Sequence, residues 1–284
     1  MMFSKVLGRI FPERLFQYTI NKAKKATTWD KGIVSLSFDC EYRRDIESLP
    51  QLLRLLKKYK IQASFACIGR WIEEYPKEHK QILAGKHEIL NHTYSHPDHE
   101  ELNPRRFDSL TLNEKKEEII KCHKTCQDIL DYNMKGFRAP HLARVSMSNI
   151  YKILAESDYI YSSSKLSVNT KYGGMPYVDG GIIELPISTC PSHPWIAFDS
   201  YHSFVIGKHK SDFPKMSWRV LQTGINNNLY VNVYFDPTVV HESDFELFLK
   251  QMSESRNKIK ILNLGELANL IQKKQKRKVK YSNT

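Results

Sequence analysis

Asp39 and Glu41 stand two residues apart at the end of the apolar run Ile33-Val34-Ser35-Leu36-Ser37-Phe38. A strand alternates its faces with a period of two, so both carboxylates share one side while Phe38 and Cys40 face the other. Two carboxylates on one inward face are costly unless they are paired, protonated or bound to a cation. His92 and His96 follow a second short apolar run, His87 to Leu90. Histidines at i and i+4 converge on one ion from a helical turn. With a carboxylate they make a two-histidine, one-carboxylate set that leaves positions open for water and substrate. Arg138 ends a third segment, Gly136-Phe137-Arg138, just before Ala139 and Pro140. An arginine there pairs with a carboxylate, orients it and holds it ionised. Taken together, these residues point to a metal site.

The elements that must position them follow from periodicity. Short apolar runs alternate with amphipathic helices from residue 33 onward, which predicts an α/β chain with parallel strands. Strands are expected at 33–38, 62–67, 87–90, 136–138, 159–163, 182–185, 230–235 and 259–262. Helices are expected along Leu49, Leu52, Leu53, Leu56 and Tyr59, then at 71–84, 112–131, 146–156, 243–255 and 264–273. Thr111 and Glu114 form a capping box for the third of these. About seven such units, without a glycine-rich phosphate loop, suit an open or distorted (β/α) barrel in a single domain. Barrels carry their active sites at the carboxyl ends of the strands, where Asp39, Glu41, His92 and Arg138 fall.

Composition is that of a globular chain: 284 residues, 41% hydrophobic and 26% charged. Disordered and repeat architectures are excluded on that basis. The net charge of +12 is carried by the ends. Residues 1–31 hold +5 and residues 273–284 hold +6, leaving +1 for the body at 32–272. A nucleic-acid groove would need a basic body, so no nucleic-acid partner is expected. The chain therefore reads as a basic amphipathic segment at 1–31, a catalytic domain at 32–272 and a basic, solvated tail at 273–284.

In the first segment Phe3, Val6, Leu7, Ile10 and Phe11 fall at helical spacing, interrupted by Pro12. This segment either lies in a membrane interface or packs across the outside of the domain. It does not read as a secretory signal, and no run approaches the roughly 20 apolar residues of a membrane span. Five cysteines, an odd number without disulfide density, read as buried thiols. The expected location is cytoplasmic, with peripheral contact at the inner membrane face through the N-terminal segment.

Ser37-Phe38-Asp39-Cys40-Glu41, His92-Thr93-Tyr94-Ser95-His96-Pro97 and Arg138-Ala139-Pro140, in this order and spacing, resemble the polysaccharide deacetylase superfamily (NodB homology, carbohydrate esterase 4). The resemblance covers residues 32–270. It implies a distorted (β/α)7 barrel and hydrolysis of an N-acetyl group, a linear amide, on a sugar or oligosaccharide. It also implies one divalent metal ion, zinc first, with cobalt, nickel or manganese as alternatives. His92 and His96 would be metal ligands, Asp39 the catalytic base and Arg138 the residue that orients it.

Three departures accompany the resemblance. The family's second adjacent aspartate is replaced by Cys40, so Glu41 becomes the third ligand, as in Asp-x-Glu branches. Asp236-Pro237 stands where the family has His-Pro, making Asp236 the candidate general acid. Tyr161-Ser162-Ser163 lacks the aspartate that pairs with the motif arginine. Pro140 and Trp195 are the candidate substrate contacts. Two rival readings are carried: a cytosolic hydrolase of a small non-sugar amide or imide on the same fold, and a catalytically degenerate barrel that binds glycan.

Overall fold

The computed structural model describes residues 10–142 and 146–282. In chain order the main elements are α1 (Pro12–Ala26), β1 (Gly32–Cys40), α2 (Arg43–Lys58), β2 (Ser64–Cys67), α3 (Gly69–Glu74), α4 (Pro76–Ala84), β3 (Glu88–Asn91), α5 (Leu112–Leu130) and β4 (Gly136–Phe137). There follow α6 (Ser148–Glu156), β5 (Tyr161–Ser162), β6 (Tyr177–Asp179), β7 (Ile182–Glu184), α7 (Phe213–Asn227), β8 (Tyr230–Phe235), α8 (Phe245–Glu254), β9 (Ile259–Ile261) and α9 (Leu264–Ser282).

The strands form one curled sheet in the order β6-β7-β5-β4-β3-β2-β1-β8, with β9 pairing the start of β1. All neighbouring pairs are parallel except β6–β7. Where β7 and β8 approach, Ser188 N donates to Asn232 O at 2.8 Å, and the Asn232 amide donates to Leu185 O and Ser163 Oγ, each at 3.0 Å. This is the distorted (β/α)7 barrel implied by the motifs.

Strand alternation sorts the residues into two environments. Val34, Leu36, Phe38 and Cys40 of β1 join Val231, Val233 and Phe235 of β8 in the main core against the surrounding helices. Ile33, Ser35, Ser37 and Asp39 face the barrel interior instead, as do Tyr230, Asn232, Tyr234 and Asp236. Each fully buried aliphatic or aromatic side chain in the outer layer contributes about 1.5–3 kcal/mol, which leaves room for a polar interior. At the lower end of the barrel, Leu264, Leu267 and Ala268 of α9 enter a second apolar cluster with Ile33, Ala66 and Leu90. There Gly265 N and Ser64 Oγ both donate to Glu88 Oε2, at 2.9 and 2.7 Å.

Several expectations shift. Pro76 divides the helix expected at 71–84 into α3 and α4. Pro12 does not interrupt a helix but opens one, in the first turn, where its missing N–H costs nothing. Of the two placements expected for the N-terminal segment, residues 12–26 pack across the outside of the domain: Phe16, Thr19 and Ala23 are buried, and Lys22 Nζ donates to Thr170 O at 2.7 Å. Phe3, Val6 and Leu7 lie outside the described residues. The helix expected at 264–273 extends through the basic run from Lys273 to Ser282. The helix α7 and the hairpin strand β6 have no counterpart in the sequence reading. Among the described residues no helix is long and apolar enough to cross a membrane.

Candidate active site and metal centre

β1 delivers two carboxylates to the top of the barrel. Asp39 is its penultimate residue and Glu41 follows its end, both on the interior side, while the Cys40 thiol is fully buried in the outer core. Burial raises the Cys40 pKa well above the ordinary thiol value, which keeps it a thiol rather than a ligand. The Glu41 carbonyl accepts from Trp71 Nε1 at 2.6 Å and lies 3.0 Å from His99 Nε2. Two anchors on its backbone thus aim the Glu41 side chain.

His92 follows β3. Its Nδ1 donates to the Arg138 carbonyl at 2.8 Å, which turns Nε2 to within 3.1 Å of Glu41 Oε1. A histidine fixed through its far nitrogen is the usual outer support of a metal ligand. His96 Nε2 lies 3.3 Å from the same oxygen. The sequence reading has these histidines converge from a helical turn. They converge from a loop instead, with φ of 67° at Thr93 and 48° at His96.

That strained backbone is held from outside. Asn91 Oδ1 accepts from Thr93 N at 2.8 Å, and Glu118 on α5 accepts from Tyr94 N, Ser95 N and Ser95 Oγ at 3.0, 2.8 and 2.7 Å. Left-handed residues away from glycine cost energy and persist only where neighbours over-determine them, as here.

One ligand atom from each of Glu41, His92 and His96 can be chosen so that all lie within 4.8 Å of one another. Both ring nitrogens of buried His96 lie outside any hydrogen bond. A buried imidazole aimed at a carboxylate without donor geometry is poorly satisfied by protein alone and suits a shared cation. Burial pushes the Glu41 carboxyl up, but the imidazoles of His96 and His92 outweigh it and bring it well below the usual range. The donor set therefore fits a divalent ion.

Beside this set lies a buried ion pair. Arg138 is fully buried, and its Nη1 donates to Asp39 Oδ1 at 2.5 Å. Its Nη2 donates to Ser37 Oγ and Ser163 Oγ at 2.9 and 3.0 Å, and Nε to Ser163 O at 3.1 Å. Ser163, in the segment that lacks the expected aspartate, thus supplies neutral acceptors to the guanidinium. The guanidinium also lies 5.1 Å from the Tyr234 ring centre. With Oδ1 held by Arg138, Asp39 turns Oδ2 toward His92 Nε2, 3.9 Å away.

Asp236 follows β8, whose Phe235 pairs with Phe38 of β1. Its Oδ2 accepts from Ser200 Oγ at 3.0 Å, and its backbone N donates to the same hydroxyl at 2.7 Å. Burial, then the charges of Asp45, Glu41 and Asp39, raise the Asp236 pKa well above the ordinary carboxylate value. A carboxyl whose pKa is raised in this way holds its proton to higher pH than an ordinary carboxylate, as a general acid must. His241, the other nearby imidazole, engages Ser48 Oγ at 3.1 Å instead.

The structure thus assembles Asp39, Glu41, His92, His96 and Arg138, with Asp236 in electrostatic reach. Pro140 is buried and shapes the turn after β4. Trp195 stays partly exposed, with its ring edge-on to His193 at 5.8 Å. Sequence reasoning missed Ser200, Glu118 and His141, whose ring centre lies 5.1 Å from that of His96. Each comes from a loop or a distant helix, and no spacing signal marks them.

Residues 26–159 match the family model described as polysaccharide deacetylase. Over 126 residues the chain is 31% identical to the peptidoglycan-N-acetylglucosamine deacetylase of Bacillus cereus, which spans 44% of this chain and 39% of that protein. Over 58 residues it is 36% identical to a chitooligosaccharide deacetylase of Rhizobium leguminosarum, covering 20% of this chain and 25% of that protein. The matches thus span well under half the length of these relatives. A Mycobacterium smegmatis structure assigned to the polysaccharide deacetylases superposes with a TM-score of 0.69 at 15% identity, over 88% of this chain and 94% of that one. A CE4 family pseudoenzyme from Bacillus anthracis superposes at 0.55 and 19% identity, over 84% and 66%. Identities this low establish the shared fold alone.

Proposed function

We propose that this chain, whose residues 26–159 match the polysaccharide deacetylase family model, is a member of that family and a metal-dependent hydrolase that removes N-acetyl groups from an amino sugar or oligosaccharide. The observation that carries this reading is the Glu41–His92–His96 set beside the Asp39–Arg138 pair. Relatives named for peptidoglycan N-acetylglucosamine and for chitooligosaccharides support the substrate class.

Glu41, His92 and His96 would hold the ion. When bound, it supplies Lewis-acid polarisation and stabilises negative charge. Asp39 Oδ2 takes the proton from the attacking water as the new C–O bond forms, while Arg138 keeps the carboxylate in place through Oδ1. The tetrahedral centre then collapses. The C–N bond breaks, Asp236 gives its proton to the leaving nitrogen, and acetate and the free amino sugar are the products. Ser200 holds the Asp236 carboxyl in line for that step. Trp195 offers an aromatic face to the apolar side of a sugar ring.

The test is acetate release from N-acetylglucosamine oligomers by the purified chain, supplied in turn with zinc, cobalt, nickel and manganese. Acetate accumulation that Asp39→Asn abolishes is the expected result. No acetate above blank with any of the four ions overturns the reading.

A further inference from the structure

A second convergence of ligating side chains lies in the connection from β7 to α7. This connection exceeds the roughly 12–15 residues beyond which irregular loops are uncommon unless functional. Its regular structure amounts to one π-helical turn, Tyr201–Val205. Within it, Cys190 Sγ lies 3.0 Å from His209 Nε2 and 3.7 Å from His193 Nδ1, and His193 Nδ1 lies 3.0 Å from His202 Nε2. The four ligand atoms all fall within 4.8 Å of one another. Tetrahedral zinc on sulfur and nitrogen ligands has S–N edges of about 3.6 Å and N–N edges of about 3.3 Å. The two S–N separations of 3.0 and 3.7 Å bracket the first value, and the His193–His202 separation of 3.0 Å falls close to the second.

Hydrogen bonding alone accounts for the cluster poorly. His209 turns Nδ1 to Asp212 Oδ1 at 3.0 Å, so its Nε2 presents a lone pair to the sulfur. His202 Nδ1 is buried without a partner. A thiol is a weak donor and a neutral imidazole has one N–H, so hydrogen bonding holds the four groups only as two separate pairs, Cys190 with His209 and His193 with His202, and does not explain why both pairs converge within 4.8 Å. The Asp212 carboxylate behind His209 is the support a ligating histidine ordinarily has.

We propose that Cys190, His193, His202 and His209 form a second metal site, for zinc or a similarly borderline-soft divalent ion, that is structural and fastens this connection. Four protein ligands, one of them a thiolate, close the coordination sphere, as structural sites do. The fastened segment reaches the catalytic groups. Asp199 Oδ1 accepts from His202 N at 2.7 Å, Asp199 Oδ2 accepts from Tyr234 OH at 3.1 Å, and Ser200 holds Asp236. The ion would thereby position Ser200 on Asp236. That last consequence rests on the proposed role of Asp236, whereas the site itself does not.

The experiment counts zinc per chain by mass spectrometry and records the absorption of the cobalt(II)-loaded full chain. The unmutated chain is expected to hold two ions and to show a thiolate-to-cobalt charge-transfer band. The His92→Ala/His96→Ala variant keeps one ion and the band, while Cys190→Ser and His209→Ala each lose one ion, and Cys190→Ser loses the band. A cobalt-loaded unmutated chain without the band overturns the proposal whether or not the variants fold, as does a Cys190→Ser protein with an undiminished ion count. Absence of acetate release with the band present would remove the proposed activity and leave this site standing.

Discussion

Replacing Asp236 by Asn probes the proton donor with little disturbance to the fold. The amide is isosteric, its oxygen still accepts from Ser200 Oγ, and the backbone N of residue 236 still donates to that hydroxyl. What disappears is the transferable proton. Loss of a general acid costs about 10²–10⁴-fold in rate, which at 1.36 kcal/mol per decade is about 3–5 kcal/mol of barrier. The pH dependence sharpens the test. Burial and the Asp45, Glu41 and Asp39 charges raise the Asp236 pKa, so the acid is present below that raised value and turnover falls as pH rises through it. The same shift has a linkage consequence. Stability contributed by the protonated form is present below the ordinary carboxylate range and is lost as pH rises through the raised value. Asp236→Asn should therefore lose the alkaline limb of the rate profile and should not lower the melting temperature at neutral pH. Acetate release across pH, paired with thermal denaturation, measures both. Turnover within about twofold of the unmutated chain, with the same alkaline limb, would refute the role of Asp236.

Three further outcomes follow from the geometry. Arg138→Met leaves Asp39 buried without its counter-charge. The expected loss is about 3–5 kcal/mol of unfolding free energy in denaturant titration, and Arg138→Lys, which cannot span Asp39, Ser37 and Ser163 together, should recover little of it. Glu118→Ala releases the Tyr94–Ser95 backbone without touching a ligand. Affinity for zinc at the Glu41 set should fall about 10–100-fold in a chelator competition, and unchanged affinity would show that the loop holds itself. Gly136→Ala places a methyl group 2.0 Å from Tyr161 Cζ, between two paired strands, and should cost about 1–3 kcal/mol; an unchanged melting temperature would contradict the packing.

The parts of the site written into regular strands were legible in the sequence. Asp39 and Glu41 were readable because a strand's period of two fixes faces without any knowledge of partners, and β8 falls on the expected residues 230–235. The capping box at Thr111 and Glu114 was equally local, and both of its hydrogen bonds are present. The route by which His92 and His96 meet was not readable, because their loop takes its shape from Glu118, more than twenty residues away in sequence. The sequence reading has no helix over Phe213–Asn227, although Phe213, Met216, Val220 and Leu221 bury one side of it. Cys190, read as a lone buried thiol, meets three histidines only because an irregular connection folds back on itself. No fixed period encodes such a fold. Ser163, in the segment that lacks the expected aspartate, shows a further limit: a missing charge is visible in sequence, but the backbone carbonyl and hydroxyl that accept from the guanidinium are not.

The central claim is that Glu41, His92 and His96 hold an ion on which hydrolysis depends. It is tested most directly by following acetate release from an N-acetylglucosamine oligomer as zinc is returned to the metal-stripped chain, beside His96→Ala. The account predicts that turnover is absent after stripping, returns with the ion in the unmutated chain and does not return in His96→Ala. Undiminished turnover in the stripped chain, or equal recovery in His96→Ala, would contradict it.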